Sequence, residues 1–150
     1  MTTTYAPIGS VSTGTMRNED LIPCFMNVLK HLDKDQHDVI VADYKYNDKF
    51  DYESEDADYL INEDLLDALN NCAAPYCYFG SHEGDGTDYG FWVSWDSIED
   101  ACRIGEILKV NAGDEWPNPL PEETEYVLEV TDHDNGTLHT ITGEEIWSVV

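Results

Sequence analysis

The sequence predicts a single α+β domain, a mostly antiparallel sheet with two main helices. Three observations predict it. Two early segments carry apolar residues at helical spacing. After Pro75 the period shifts to short aromatic and β-branched runs divided by glycines and acids. The 150 residues suffice for one sizeable core, and no internal repeat or boundary divides them.

The first helix lies in "MRNEDLIPCFMNVLKHL", where Leu21, Phe25, Val28, Leu29 and Leu32 share one face. Asn18, Glu19 and Asp20 supply acceptors and negative charge at its start. Pro23 is tolerated only in a first turn, so the helix is expected to begin near Glu19 or Asp20. "DVIVADYKY" (38–46) reads equally as strand or helix. "INEDLLDALNNCAAP" is the second helix, with Asn62 as N-cap and Ile61 and Leu66 as a hydrophobic staple. Leu65, Leu66 and Leu69 form its buried stripe, and Pro75 closes it.

"YCYFG" and "YGFWVSW" read as strands joined by the loop "SHEGDGTD". "WDSIEDAC" adds a short helix, with Asp96 and Glu99 placed like a capping box. "GEILKV" is a strand, and "NAGDEWPNPLPEE", with three prolines, is an irregular connection. "EYVLEVTDHDNGTLHTITGEEIWSVV" holds the strongest hairpin signal, Asn135-Gly136 between alternating runs. Its last apolar run is expected to pin the C-terminus into the sheet.

Charge narrows the function. Thirty-two Asp and Glu face seven Lys and Arg, a formal charge of −25. With 11% aromatic residues this is not a disordered acidic tail, so the acids belong to a folded surface. Such a surface repels itself and attracts cationic partners from a distance. It excludes nucleic acid and anionic membranes as direct ligands, because phosphate binding needs a track of Lys and Arg. Cys24, Cys72, Cys77 and Cys102 lack C-x-x-C spacing, and "MTTTYAPIGS" lacks the apolar region of a signal peptide. These features, with no run approaching a membrane span, lead us to expect reduced, mostly buried thiols in a soluble cytoplasmic protein.

The acids concentrate at "DKFDYESEDADY" (48–59), six carboxylates among three aromatic rings and one lysine. From Asp43 to Asp67 ten acids oppose Lys45 and Lys49. If 51–55 is extended, Asp51, Glu53 and Glu55 share a face at a repeat of about 6.7 Å. On the second helix, Glu63 and Asp67 stand at i,i+4, about 6 Å apart. Duplex DNA shows about one negative charge per 1.7 Å of axis, a density that only clustered carboxylates on a folded frame imitate. Tyr44, Tyr46, Phe50, Tyr52 and Tyr59 would be its anchors. The candidate partner-binding set is Asp48, Asp51, Tyr52, Glu53, Glu55, Asp56, Asp58, Tyr59, Glu63, Asp64 and Asp67. The competing reading is a solvated acidic face suited to high salt.

Other chemistry is weaker. "EGDGTD" and "DHDNG" hint at calcium loops, but Asp132, Asp134 and Gly136 miss the EF-hand register and Gly143 stands where Glu is needed. Cys72, Cys77 and His82 are spaced C-x4-C-x4-H without a fourth zinc ligand, which favours core packing. His82 near Glu83, Asp85 and Asp88 offers an acid–base group, although a polar turn explains it as well. His133 and His139 flank the hairpin turn and need only be exposed. No nucleotide, zinc-protease or nucleophile-elbow motif is present. No cofactor or metal is expected.

Three stretches, "PIGSVSTGTMRNEDLIP", "APYCYFGSHEGDGTDYGFW" and "YVLEVTDHDNGTLHTITGEEIWSVV", together resemble a family of small proteins of phages and mobile elements without assigned chemistry. The charge profile is separately similar to that of phage-encoded nucleic-acid mimics, including anti-restriction and anti-CRISPR proteins. The acidic cluster, with this charge profile, leads us to expect a non-enzymatic inhibitor whose partner is a basic nucleic-acid-binding protein of a host defence complex. The alternative is an acidic accessory or scaffold protein of a salt-adapted host or virus.

Overall fold

The computed structural model describes residues 5–131 and 135–149. Its class is α+β, and the chain, expected as one domain, forms two compact units: Met1–Ala73 with Cys77–Trp92, and Ala74–Tyr76 with Val93–Val150. Each has its own sheet, in the first ordered β1 (Gly9–Ser12), β3 (Asp85–Val93), β2 (Cys77–His82), and in the second β4 (Ile107–Asn111), β5 (Tyr126–Val130), β6 (Gly136–Thr140), β7 (Glu145–Val149). Among the described residues no helix is long and apolar enough to cross a membrane.

In the first unit, strand β1 (Gly9–Ser12) leads to helix α1 (Asn18–Leu32). Leu21, Ile22, Phe25, Met26 and Leu29 recur at helical spacing, and all are buried. Pro23 is not in the first turn. It is the sixth helical residue, on the exposed face, where it cannot donate the bond that a helical residue would give to Glu19, which is itself exposed. Asp33 caps helix α2 (Lys34–Tyr44) by accepting from Gln36 N at 3.2 Å, which resolves the ambiguous segment 38–46 as helix up to Tyr44. Lys45, in the left-handed region at φ 50°, ends it.

The second helix begins eight residues earlier than expected, with Ser54 rather than Asn62 as its cap. Ser54 Oγ accepts from Ala57 N at 3.1 Å and opens α3 (Glu55–Tyr59). A π-helical turn (Leu60–Asp64) joins α3 to α4 (Leu65–Cys72). The apolar spacing explains the turn. Ala57 and Leu60 are three apart, Leu60 and Leu65 five, and Leu65, Ala68 and Leu69 return to the ordinary stripe. A π turn absorbs the extra residue and keeps both stripes in the core. Asn62 therefore lies inside the helical run, and no staple forms around a start there.

Strands β2 (Cys77–His82) and β3 (Asp85–Val93) leave only Glu83 and Gly84 as the turn of the expected long loop. Phe25 meets Phe79 edge-on at 5.0 Å and Tyr89 at 5.4 Å, and Phe79 meets Phe91 at 5.0 Å. This aromatic group is the middle of the core. β1, unanticipated as a strand, runs antiparallel to β3 with Gly9 opposite Phe91.

In the second unit, helix α5 (Trp95–Arg103) buries Ile98 and Ala101. Asp96 does not cap it. Ser94 N donates to Tyr76 O at 2.7 Å and anchors the chain, so the helix starts at Trp95. β4 (Ile107–Asn111) pairs parallel with β5 (Tyr126–Val130), across the irregular proline-rich connection. β6 (Gly136–Thr140) and β7 (Glu145–Val149) continue antiparallel, with Leu128 opposite Leu138 and Leu138 opposite Trp147. Asn135-Gly136 is not a two-residue turn: Gly136 already pairs with Val130, and Thr131 N donates to Asn135 O. A Cβ on Gly136 would stand 3.3 Å from Leu128 Cδ1 and 3.7 Å from Trp95, so packing rather than turn geometry favours glycine there. Asp132, His133 and Asp134 lie outside the described residues.

Candidate functional site

The acidic stretch folds as a connection between α2 and α3, followed by the helical run from Glu55 to Cys72. It is not extended over 51–55. Asp51 Oδ1 accepts from Glu53 N at 3.0 Å, and Ser54 Oγ donates to Asp51 O at 2.7 Å, which makes a turn feeding the helix cap. The shared strand face expected for Asp51, Glu53 and Glu55 therefore does not exist.

What holds this turn is the aromatic residues. Tyr46, Phe50 and Tyr52 pack together with ring centroids 5.1–6.4 Å apart, and the Tyr46 and Tyr52 hydroxyls lie 2.9 Å from each other. All three are half-buried against the core, and so is Tyr44. Tyr44 donates to Asp64 Oδ2 at 2.6 Å. Burial and then that carboxylate push the Tyr44 hydroxyl well above the usual range, and burial with the Tyr52 bond does the same for Tyr46. Four of the five expected anchors thus face inward. Tyr59 alone is outward, 60% exposed on α3.

The carboxylates go the other way. Asp48, Asp51, Glu53, Glu55, Asp56, Asp58, Glu63 and Asp67 are all exposed. Asp64 is half-buried and committed to Tyr44. Asp58 accepts from Asn18 Nδ2 at 2.8 Å, and Asn18 also donates to Tyr52 O. Along the helical run Tyr59, Glu63 and Asp67 follow at steps of four residues, about 6 Å of rise each. Glu55, Asp56 and Asp58 sit in the first turn, where the free N–H groups and the dipole favour them. Among the described residues neither Lys45 nor Lys49 lies within 4 Å of a carboxylate, so the array is not neutralised by its own lysines.

Asn18 was missed as a contributor to this surface, because its contacts lie 34 and 40 residues away and leave no local signal.

The other candidates are occupied structurally. His82 Nδ1 accepts from Gly84 N at 2.9 Å, and its ring meets Trp92 edge-on at 4.8 Å. Asp85 accepts twice from Thr87. Cys77 and His82 are the first and last residues of β2, roughly 17 Å apart at the rise of a strand, so they and Cys72 cannot share one zinc ion. All four cysteines are half-buried free thiols rather than fully buried ones. His139 is half-buried, with Nε2 3.2 Å from Glu129 Oε1 and its ring against Trp116.

Acidity is not confined to this face. The first unit holds 18 acids against 5 bases, and the second 14 against 2. No protein-family model matches the chain, and comparison with curated proteins and with solved structures finds no match.

Proposed function

We propose that this chain is a non-enzymatic inhibitor that presents nucleic-acid-like charge to the nucleic-acid-binding surface of a host defence protein, of the anti-CRISPR or anti-restriction type. One observation carries the reading. Apart from Tyr59, the aromatic residues interleaved with the acids turn inward and brace the backbone, leaving the carboxylates outward on a fixed frame. A fixed array loses less side-chain and backbone freedom on binding than a mobile tail, so more of its attraction appears as affinity. Net charge speeds encounter with a basic groove, and the local array, with Tyr59 at its centre, slows release.

The even division of charge between the two units favours a second reading, an acidic accessory protein whose surface is suited to high salt and holds no specific target. One comparison separates them. Glu53, Asp56, Glu63 and Asp67 are exposed and make none of the side-chain hydrogen bonds that brace the site, so their amides leave the frame intact. Changing these four to Gln or Asn removes as much charge as changing Glu122, Glu123, Glu144 and Glu145. Only the first set should abolish competition with nucleic acid for a basic partner captured from host lysate, mainly by faster dissociation. Equal weakening by both sets would leave the second reading.

A further inference from the structure

Within the second unit, α5 covers only part of the sheet and leaves a groove of about 600 Å³. That volume is within the range of small-molecule sites. Its walls include Trp95, Leu128, Val130 and Val149, and its polar margin includes Lys109 and Glu99. Trp95 is 43% exposed, held edge-on to Trp147 at a centroid distance of 6.2 Å.

Lys109 sets the chemistry. This unit has two cations, and Arg103 pairs with Asp100 at 3.1 Å. Among the described residues no carboxylate lies within 4 Å of Lys109, despite the acidity of the chain. Both Lys109 and Cys102 line the groove; burial pushes the Cys102 thiol up, Lys109 pulls against it, and Glu99 adds to the rise. An apolar wall with one uncommitted cation at its margin suits a ligand with an apolar body and a single negative head. Polyanions are disfavoured by Glu99 at the same margin and by the field of the whole chain.

We infer that the groove between α5 and the four-stranded sheet binds a small amphipathic carboxylate, with its tail along Trp95, Leu128, Val130 and Val149 and its head at Lys109.

The test is calorimetric titration of the full chain with octanoate and, separately, octylamine. A highly negative protein attracts the amine without any site, so preference for the acid runs against the general field. The expected result is saturable octanoate binding, tighter than that of octylamine by about tenfold, with a change in tryptophan fluorescence that Trp95→Phe removes. Lys109→Met should abolish the preference and Lys109→Arg should keep it, both with unchanged circular dichroism. Equal or tighter binding of the amine, saturable binding of neither, or a preference that survives Lys109→Met would overturn the proposal.

Discussion

Tyr44, the last residue of α2, donates a 2.6 Å hydrogen bond to Asp64, at the end of the π turn twenty residues on. The bond ties the acidic connection at both ends, and its acceptor is a half-buried carboxylate. Removing the hydroxyl with Tyr44→Phe leaves that carboxylate short of a donor. The expected loss is about 1.5–2 kcal/mol, the lower part of the range for bonds to charged groups because the site is partly open to water. A double-mutant cycle with Asp64→Asn, followed by urea unfolding, should give a coupling of about 1 kcal/mol. Strict additivity would show that the bond adds nothing.

Alkaline pH should destabilise the protein. Burial, reinforced by the partner hydroxyl or carboxylate, raises the Tyr44, Tyr46 and Tyr76 hydroxyls above their ordinary value of 10.0. The folded state then holds protons that the unfolded chain releases. The stabilisation is complete below the unfolded value and is lost as pH rises above about 10. The urea midpoint should fall between pH 10 and 11.5, and less steeply in Tyr44→Phe and Tyr46→Phe. A midpoint flat across that range contradicts this account.

Cys77 should be the slowest thiol to react. Burial pushes it up to about 12, and the thiolate is the nucleophile, so roughly one part in ten thousand is reactive at pH 8. Alkylation of the native protein, followed by mass mapping, should leave Cys77 unmodified after Cys24, Cys72 and Cys102 have reacted. First labelling at Cys77 would mean that β2 opens readily.

Gly90 should not accept a side chain. A Cβ there would stand 2.2 Å from the Gly9 carbonyl oxygen, backbone against backbone, with no flexible group to give way. Gly90→Ala must displace β1 from β3, at a cost of about 2–3 kcal/mol, as for an overpacked core. Thermal unfolding measures the loss, and an unchanged midpoint would show β1 to be dispensable.

The sequence by itself determined the charge, the α+β class, the runs that form β5 to β7, and the place of α1, where Leu21, Phe25 and Leu29 are buried as expected while Val28 and Leu32 are half-buried and Ile22 and Met26 complete the stripe. These follow from composition and from period, which neighbours along the chain decide. Other features depended on partners far away in the chain. Whether Tyr46, Phe50 and Tyr52 point to solvent or core is invisible locally, because both placements satisfy the same alternation of rings and acids. The core offered by α1 and α4 drew the rings inward, and the carboxylates, costly to bury, took the surface. The same competition fixed the helix start. Asn62 has the chemistry of a cap, but Ala57 and Leu60 add apolar surface that is buried only if the helix begins at Ser54, and a π turn reconciles their phase with Leu65. Tertiary burial outweighed a local capping preference of about 1 kcal/mol, and with that the acidic stretch became a turn followed by the outer face of a helix instead of a strand.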